Sequence, residues 1–78
     1  MSVIQQRLIN PKKLLLSKWT AVHPCNKEKH FMVVKLLEPD QPDQPLEWVE
    51  IEAVYTGRIE TIAWQQLKDC QIWRQGWC

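Results

Sequence analysis

The stretch Trp48-Val49-Glu50-Ile51-Glu52-Ala53-Val54-Tyr55-Thr56-Gly57-Arg58 decides the fold class. Val49, Ile51, Ala53 and Tyr55 recur at every second position, with Trp48, Glu50, Glu52 and Thr56 at the alternate ones. Successive side chains of a strand point to opposite faces, so this pattern predicts a half-buried strand within residues 47–56, with Val49, Ile51, Ala53 and Tyr55 inside. Gly57 takes the positive φ that a hairpin turn needs, so residues 58–64 are expected to return as an antiparallel partner.

Four further expectations follow from the flanking sequence. His30-Phe31-Met32-Val33-Val34-Lys35-Leu36-Leu37 is apolar on both faces for much of its length, which places residues 29–37 at the centre of the sheet. Residues 14–22 form the first strand, and the His23 to Glu28 segment is a longer turn, because Pro24 has no N–H to give a ladder. The Glu38 to Pro45 loop repeats Pro-Asp-Gln and reads as a stiff connector between strands rather than a ligand for a proline-binding partner. Trp64 and Leu67 stand three residues apart, the spacing that superposes side chains on a 3₁₀ turn, and residues 70–75 supply the last strand.

Five short strands at even spacing define an all-β chain. Their order predicts a small five-stranded SH3-like barrel with a 3₁₀ turn before the last strand, since closure also removes exposed sheet edges. Residues 1–13, ending at Asn10-Pro11-Lys12-Lys13, lack periodicity and read as an N-terminal arm, leaving residues 14–78 as one barrel domain.

At 78 residues the chain is one small domain, and a domain of this size buries only about 60% of the surface its unfolded form exposes. Its hydrophobic share of 45% and charged share of 24% exclude a disordered tail or a fibrous repeat. Tryptophan is the outlier, with 5 Trp against 1 Phe and 1 Tyr, at positions 19, 48, 64, 73 and 77. A compact domain of this length has a radius of gyration of about 11–12 Å, so at least one or two of these indoles are expected at the surface.

The longest apolar run, Phe31 to Val34, is far shorter than the roughly 20 residues that span a bilayer. No secretory h-region is recognisable, because Leu14-Leu15-Leu16 is stopped by Ser17-Lys18. These features predict a cytoplasmic protein with no membrane partner. Three cysteines, Cys25, Cys70 and Cys78, fit reduced thiols better than a disulfide framework.

Net charge is +1, but residues 1–37 hold seven Lys/Arg and one Glu, whereas residues 38–78 hold three and eight acids. A basic N-terminal half suggests contact with nucleic acid or another anionic surface; interleaved strands would instead mix the charges into an ordinary solvated surface.

Enzymatic motifs are missing. Gly57 and Gly76 are isolated, so no phosphate cradle is built. Glu50 and Glu52 share a strand face about 7 Å apart by strand rise, which reads as a solvated face rather than an acid/base pair. His23, Cys25 and His30 are the one local cluster of zinc-type donors, and their spacing matches no recognised knuckle, so neither a metal nor another cofactor is expected. Cations interleaved with indoles are what remains. Lys18-Trp19, Trp73-Arg74 and Trp77 are candidates to stack bases, while Lys12, Lys13 and Arg74 meet phosphates. Strand parity places Trp73, Gln75 and Trp77 on one face with Ile72 and Arg74 on the other, so an inward Trp73 would deprive the Arg74 surface of an aromatic platform.

At Ser17-Lys18-Trp19-Thr20-Ala21, Glu28-Lys29-His30-Phe31, Trp64-Gln65-Gln66-Leu67-Lys68-Asp69 and Trp73-Arg74-Gln75-Gly76-Trp77 the chain resembles a family of small bacterial tryptophan-rich proteins of unknown function. The resemblance covers roughly residues 10–77 and implies a stand-alone bacterial cytoplasmic protein, without supplying an activity, cofactor or catalytic residue. Two functions are therefore expected. One is a non-enzymatic module that binds RNA or a ribonucleoprotein through Lys12, Lys13, Lys18, Trp19, Trp73, Arg74 and Trp77. The alternative is a module for protein interaction or self-association that uses exposed tryptophans as anchors. Both require at least two tryptophans outside the core.

Overall fold

The computed structural model describes residues 9–77. Five strands, β1 (Lys18–Cys25), β2 (Glu28–Leu37), β3 (Trp48–Ala53), β4 (Ile59–Ala63) and β5 (Trp73–Gln75), form one antiparallel sheet in the order β4-β3-β2-β1-β5. A 3₁₀ turn (Pro11–Lys13) precedes β1, and a second (Trp64–Lys68) precedes β5. The all-β class, the five strands and the 3₁₀ turn before the last strand agree with the sequence expectation. The closure expected of a barrel is not seen, because β4 and β5 stand at opposite ends of the hydrogen-bonded order. A radius of gyration of 12.9 Å, with extents of 40 × 37 × 16 Å, describes a slab looser than the roughly 11–12 Å of a compact domain this long.

The registers assign the two faces. Trp19 pairs with Phe31 and Phe31 with Ala53; Ala21 pairs with Trp73, Val33 with Ile51, and Val49 with Ile62. All of these lie on one face and, Ala21 apart, are buried. That face is covered by Leu14, which follows the first 3₁₀ turn, and by Trp64 and Leu67 of the second. The Trp64 indole N–H donates to the Leu46 carbonyl at 2.7 Å, and that of Trp19 to the Ser17 hydroxyl at 2.8 Å, so these two of the three buried indoles satisfy their one donor in this way. The opposite face carries Lys18, Thr20, His30, Met32, Lys35, Trp48, Glu50, Glu52, Ile59, Thr61 and Arg74, and no element among the described residues covers it across its width.

Local departures from the expected strands have specific causes. The first strand starts at Lys18 instead of residue 14: Asn10 caps the 3₁₀ turn by accepting from the Lys12 N–H at 3.0 Å, and Leu16 then adopts φ 66°, which a strand cannot hold. The β1–β2 turn is Asn26-Lys27, with both residues at positive φ, the two-residue geometry that suits strand twist. His23 and Pro24 therefore belong to β1. Residues 21–24 oppose only Lys29, so Pro24 sits in a bulge where no ladder donor is required. Tyr55 is exposed rather than inside, because Val54 to Gly57 forms the turn, closed by Gly57 N–H to Ala53 O at 2.7 Å with Gly57 at φ 76°.

Of the five tryptophans, Trp19, Trp64 and Trp73 are in the core, whereas Trp48 and Trp77 are 46% and 41% exposed. Trp19→Ala removes a side chain that is 1% exposed and is expected to cost about 3–5 kcal/mol. Trp48→Ala should cost about 1 kcal/mol or less. Urea denaturation of the two variants checks this, and equal losses would contradict the assignment of faces.

Candidate binding face and family membership

Alternation splits each cation–tryptophan pair that stood out in the sequence. Along β1, Lys18 points to the open face and Trp19 into the core; along β5, Trp73 points into the core, edge-on to Phe31 at 5.1 Å between centroids, and Arg74 points out. Trp19 and Trp73, expected as stacking residues, are thus packed inside, because the residue beside an outward cation must face inward.

The parity expected for Trp77 does not hold. β5 ends at Gln75, and Gly76 follows at φ 84°, a left-handed conformation that carries the chain across the sheet. Gly76 N–H donates to Lys18 O at 2.8 Å and its carbonyl accepts from the Thr20 hydroxyl at 2.6 Å. Trp77 then lies on the open face, not beside Trp73: Lys18 Nζ stands 4.8 Å from its ring centroid, His30 packs at 5.9 Å, and its indole N–H donates to Phe31 O at 3.0 Å. Gly76 restores to the cation face the aromatic that alternation removed.

Arg74 borders this patch opposite Thr20. With Lys29, Thr20 and Pro24 it lines a cleft of about 350 Å³ opened by the β1 bulge. Among the described residues, none of Lys18, Lys29 and Arg74 is in an ion pair with a carboxylate. Lys29 was missed in the sequence reading, since only the bulge brings it beside Arg74. Lys12 and Lys13 lie elsewhere: Lys12 borders a groove of about 550 Å³ with Leu36, Pro39, Pro42, Pro45 and Leu46, on the core-bearing side. The expected site is therefore divided into Lys18, Arg74 and Trp77 on the open face, Trp19 and Trp73 in the core, and Lys12 and Lys13 in the first 3₁₀ turn, where Lys12 borders the proline-rich groove.

The His/Cys cluster is divided as well. His23 and Cys25 line a cavity of about 240 Å³ with Glu28, Phe31, Arg58 and Trp73, whereas His30 lies across the sheet against Trp77. Among the described residues no group of three or more His, Cys, Asp or Glu is placed to hold a metal ion. Cys25 and Cys70 are exposed free thiols, and Cys78 lies outside the described residues.

Glu28 is buried in that cavity wall. It accepts from Arg58 Nη2 at 2.7 Å, from Arg58 Nε at 3.0 Å and from the Thr56 hydroxyl at 2.5 Å, which ties the start of β2 to the β3–β4 turn. The Arg58 hydrogen bonds, then that from Thr56, hold the Glu28 carboxyl below the usual carboxylate range. Arg58 is correspondingly held charged, by Glu28 and then by Glu60 at 3.2 Å.

The fold and this face define a small, tryptophan-rich all-β protein with one covered and one open sheet face. The chain belongs to the family described as Tryptophan-rich protein (DUF2389), whose model matches residues 17–78. No curated protein and no solved structure matches it.

The Glu28 carboxyl has a lower pKa folded than unfolded, so its contribution to stability is complete above the unfolded value and is lost as pH falls through about 4.3 and below. Glu28→Gln should lower the denaturation midpoint at pH 7 and flatten the fall in stability below pH ~4.3. Urea titrations of both proteins from pH 3 to pH 7 check this, and parallel acid limbs would contradict it.

Proposed function

We propose that this chain is a non-enzymatic module that binds single-stranded RNA, alone or within a ribonucleoprotein, on the open face at the β1–β5 edge. The observation that carries the reading is the convergence of Trp77, Lys18 and Arg74 on one face, with Lys29 across the bulge cleft and, among the described residues, no carboxylate paired to these cations. Trp77 offers a π-face for a base, and the cations meet successive phosphates. The basic arm of the sequence expectation is replaced in this role by Lys18, Lys29 and Arg74, because Lys12 borders the groove on the other side.

We read the sheet as an opened relative of the SH3-like barrel, since a meander, a 3₁₀ turn and a last strand returning to β1 is the order such barrels use. Such scaffolds host many unrelated binding roles, so the reading rests on the face and not on the architecture. No helix among the described residues is long and apolar enough to cross a membrane, and a cytoplasmic location in a bacterium suits an RNA ligand.

Titration with a mixed-sequence single-stranded RNA of about 12 nucleotides, a length within the site sizes of such grooves, tests the reading. Tryptophan fluorescence should be quenched at low salt, with a log–log salt slope near −2 for three phosphate contacts. Trp77→Ala should abolish the quenching while Trp48→Ala preserves it, and Lys18→Ala or Arg74→Ala should each reduce the slope by about 0.7. Absence of quenching at low salt, or quenching that survives Trp77→Ala, would overturn the RNA reading and leave a protein ligand for the face.

A further inference from the structure

The edge formed by β4 supports an inference independent of the RNA reading. The β3–β4 ladder alternates: Ala53 N–H donates to Arg58 O at 2.8 Å, and Trp64 N–H to Glu47 O at 3.1 Å, at its two ends. With the pairs Glu52–Ile59, Glu50–Thr61 and Trp48–Ala63 between them, residues 58, 60, 62 and 64 bond inward to β3. The N–H and C=O groups of Ile59 and Thr61 and the N–H of Ala63 therefore point outward and enter no ladder among the described residues, whereas the Ala63 C=O, at the N-cap of the Trp64–Lys68 turn, accepts that turn's first bond.

Edges of this kind are ordinarily blunted by lysine, proline, a bulge or a covering element. β4 reads Ile-Glu-Thr-Ile-Ala, contains neither lysine nor proline, and pairs with β3 without a register shift. Its open-face residues are Ile59, Thr61 and Ala63, all uncharged, and Ile59 is 54% exposed. Trp48, the other exposed indole, lies beside Ala63. A net charge of +1 gives little repulsion between copies.

We propose that β4 pairs antiparallel with β4 of a second copy about a two-fold axis through Thr61, making a continuous ten-stranded sheet. Centred there, Thr61 faces Thr61 and Ile59 faces Ala63 of the other copy, all in hydrogen-bonded positions, so the outward groups of Ile59 and Thr61 and the Ala63 N–H gain partners on both sides, with the Ile59 N–H taking the second lone pair of the Ala63 C=O. Glu60 falls opposite Ile62, and the two Glu60 side chains, diagonal neighbours across the seam, are each paired to Arg58 of their own copy. The Ile59 of each copy comes to lie one strand beyond the Ala63 that flanks the other copy's Trp48, which extends the apolar row Leu37–Trp48–Ala63 across the seam. The two-fold is normal to the sheet, so both Trp77 patches stay on the same face, about 34 Å apart at 4.8 Å per strand.

Sedimentation equilibrium of the full chain from 5 to 500 μM, roughly the range over which marginal edge pairing is read out, tests the pairing. A reversible monomer–dimer equilibrium is expected. Thr61→Pro deletes an outward N–H that β3 does not use, so the fold persists and the dimer is lost. Ile59→Lys places an edge cation at the seam and should weaken association at least tenfold with the circular dichroism spectrum unchanged, which keeps the test valid if Thr61→Pro fails to fold. A wild-type chain that is monomeric throughout, or a dimer that Ile59→Lys leaves intact, would overturn the proposal. RNA titrations leave this result unaffected, since Lys18 and Arg74 lie on strands three and four places from β4 and Trp77 packs on β1 and β2.

Discussion

The row Trp19–Phe31–Ala53, which runs across β1, β2 and β3, fixes which side of the sheet is inside, and every functional surface follows from that choice. Strand alternation then leaves no freedom. Once Trp19 is in, Lys18 is out; once Trp73 packs edge-on to Phe31, Arg74 is out. Leu14, Trp64 and Leu67 cover this one face, and among the described residues no second layer covers the other.

Two devices adapt this half-covered sheet. The β1 bulge sets residues 21–24 against Lys29 alone and opens the cleft in which Lys29 and Arg74 meet. The left-handed Gly76 brings Trp77 onto the cations, where its indole N–H finds Phe31 O and its ring meets Lys18. At the other end of the sheet, Glu28 fastens the β1–β2 tip to the β3–β4 turn through Arg58 and Thr56. A buried carboxylate is costly to leave without partners, so this contact constrains how the two hairpins meet.

Much of the scaffold was legible because it depends on local pattern. The alternation Val49, Ile51, Ala53, the central placement of residues 29–37, the positive φ of Gly57 and the Trp64/Leu67 3₁₀ spacing all reflect short-range geometry. Failures came where one residue changed the parity or the count. Asn26-Lys27 took the turn that Pro24 seemed to mark, since a bulge absorbs a proline more easily than a tight turn forgoes its positive φ. Gly76 reversed the face of Trp77, and Val54 to Gly57 took Tyr55 out of the strand. The site suffered more than the fold. Strand parity already separates Trp73 from Arg74 in the sequence, and the structure places them so; the same parity also separates Lys18 from Trp19, whereas Lys29 and His30 reach the patch through the bulge and the register.

The central claim is the partition of the five indoles, three on the covered face and two on the open one. Incorporation of 5-fluorotryptophan and comparison of ¹⁹F spectra in H₂O and D₂O measures it directly. The account predicts that two of the five resonances show a full solvent isotope shift, assigned to positions 48 and 77 by their Phe variants. A comparable shift at Trp19, Trp64 or Trp73, or protection of Trp77 equal to theirs in the monomer, would contradict it.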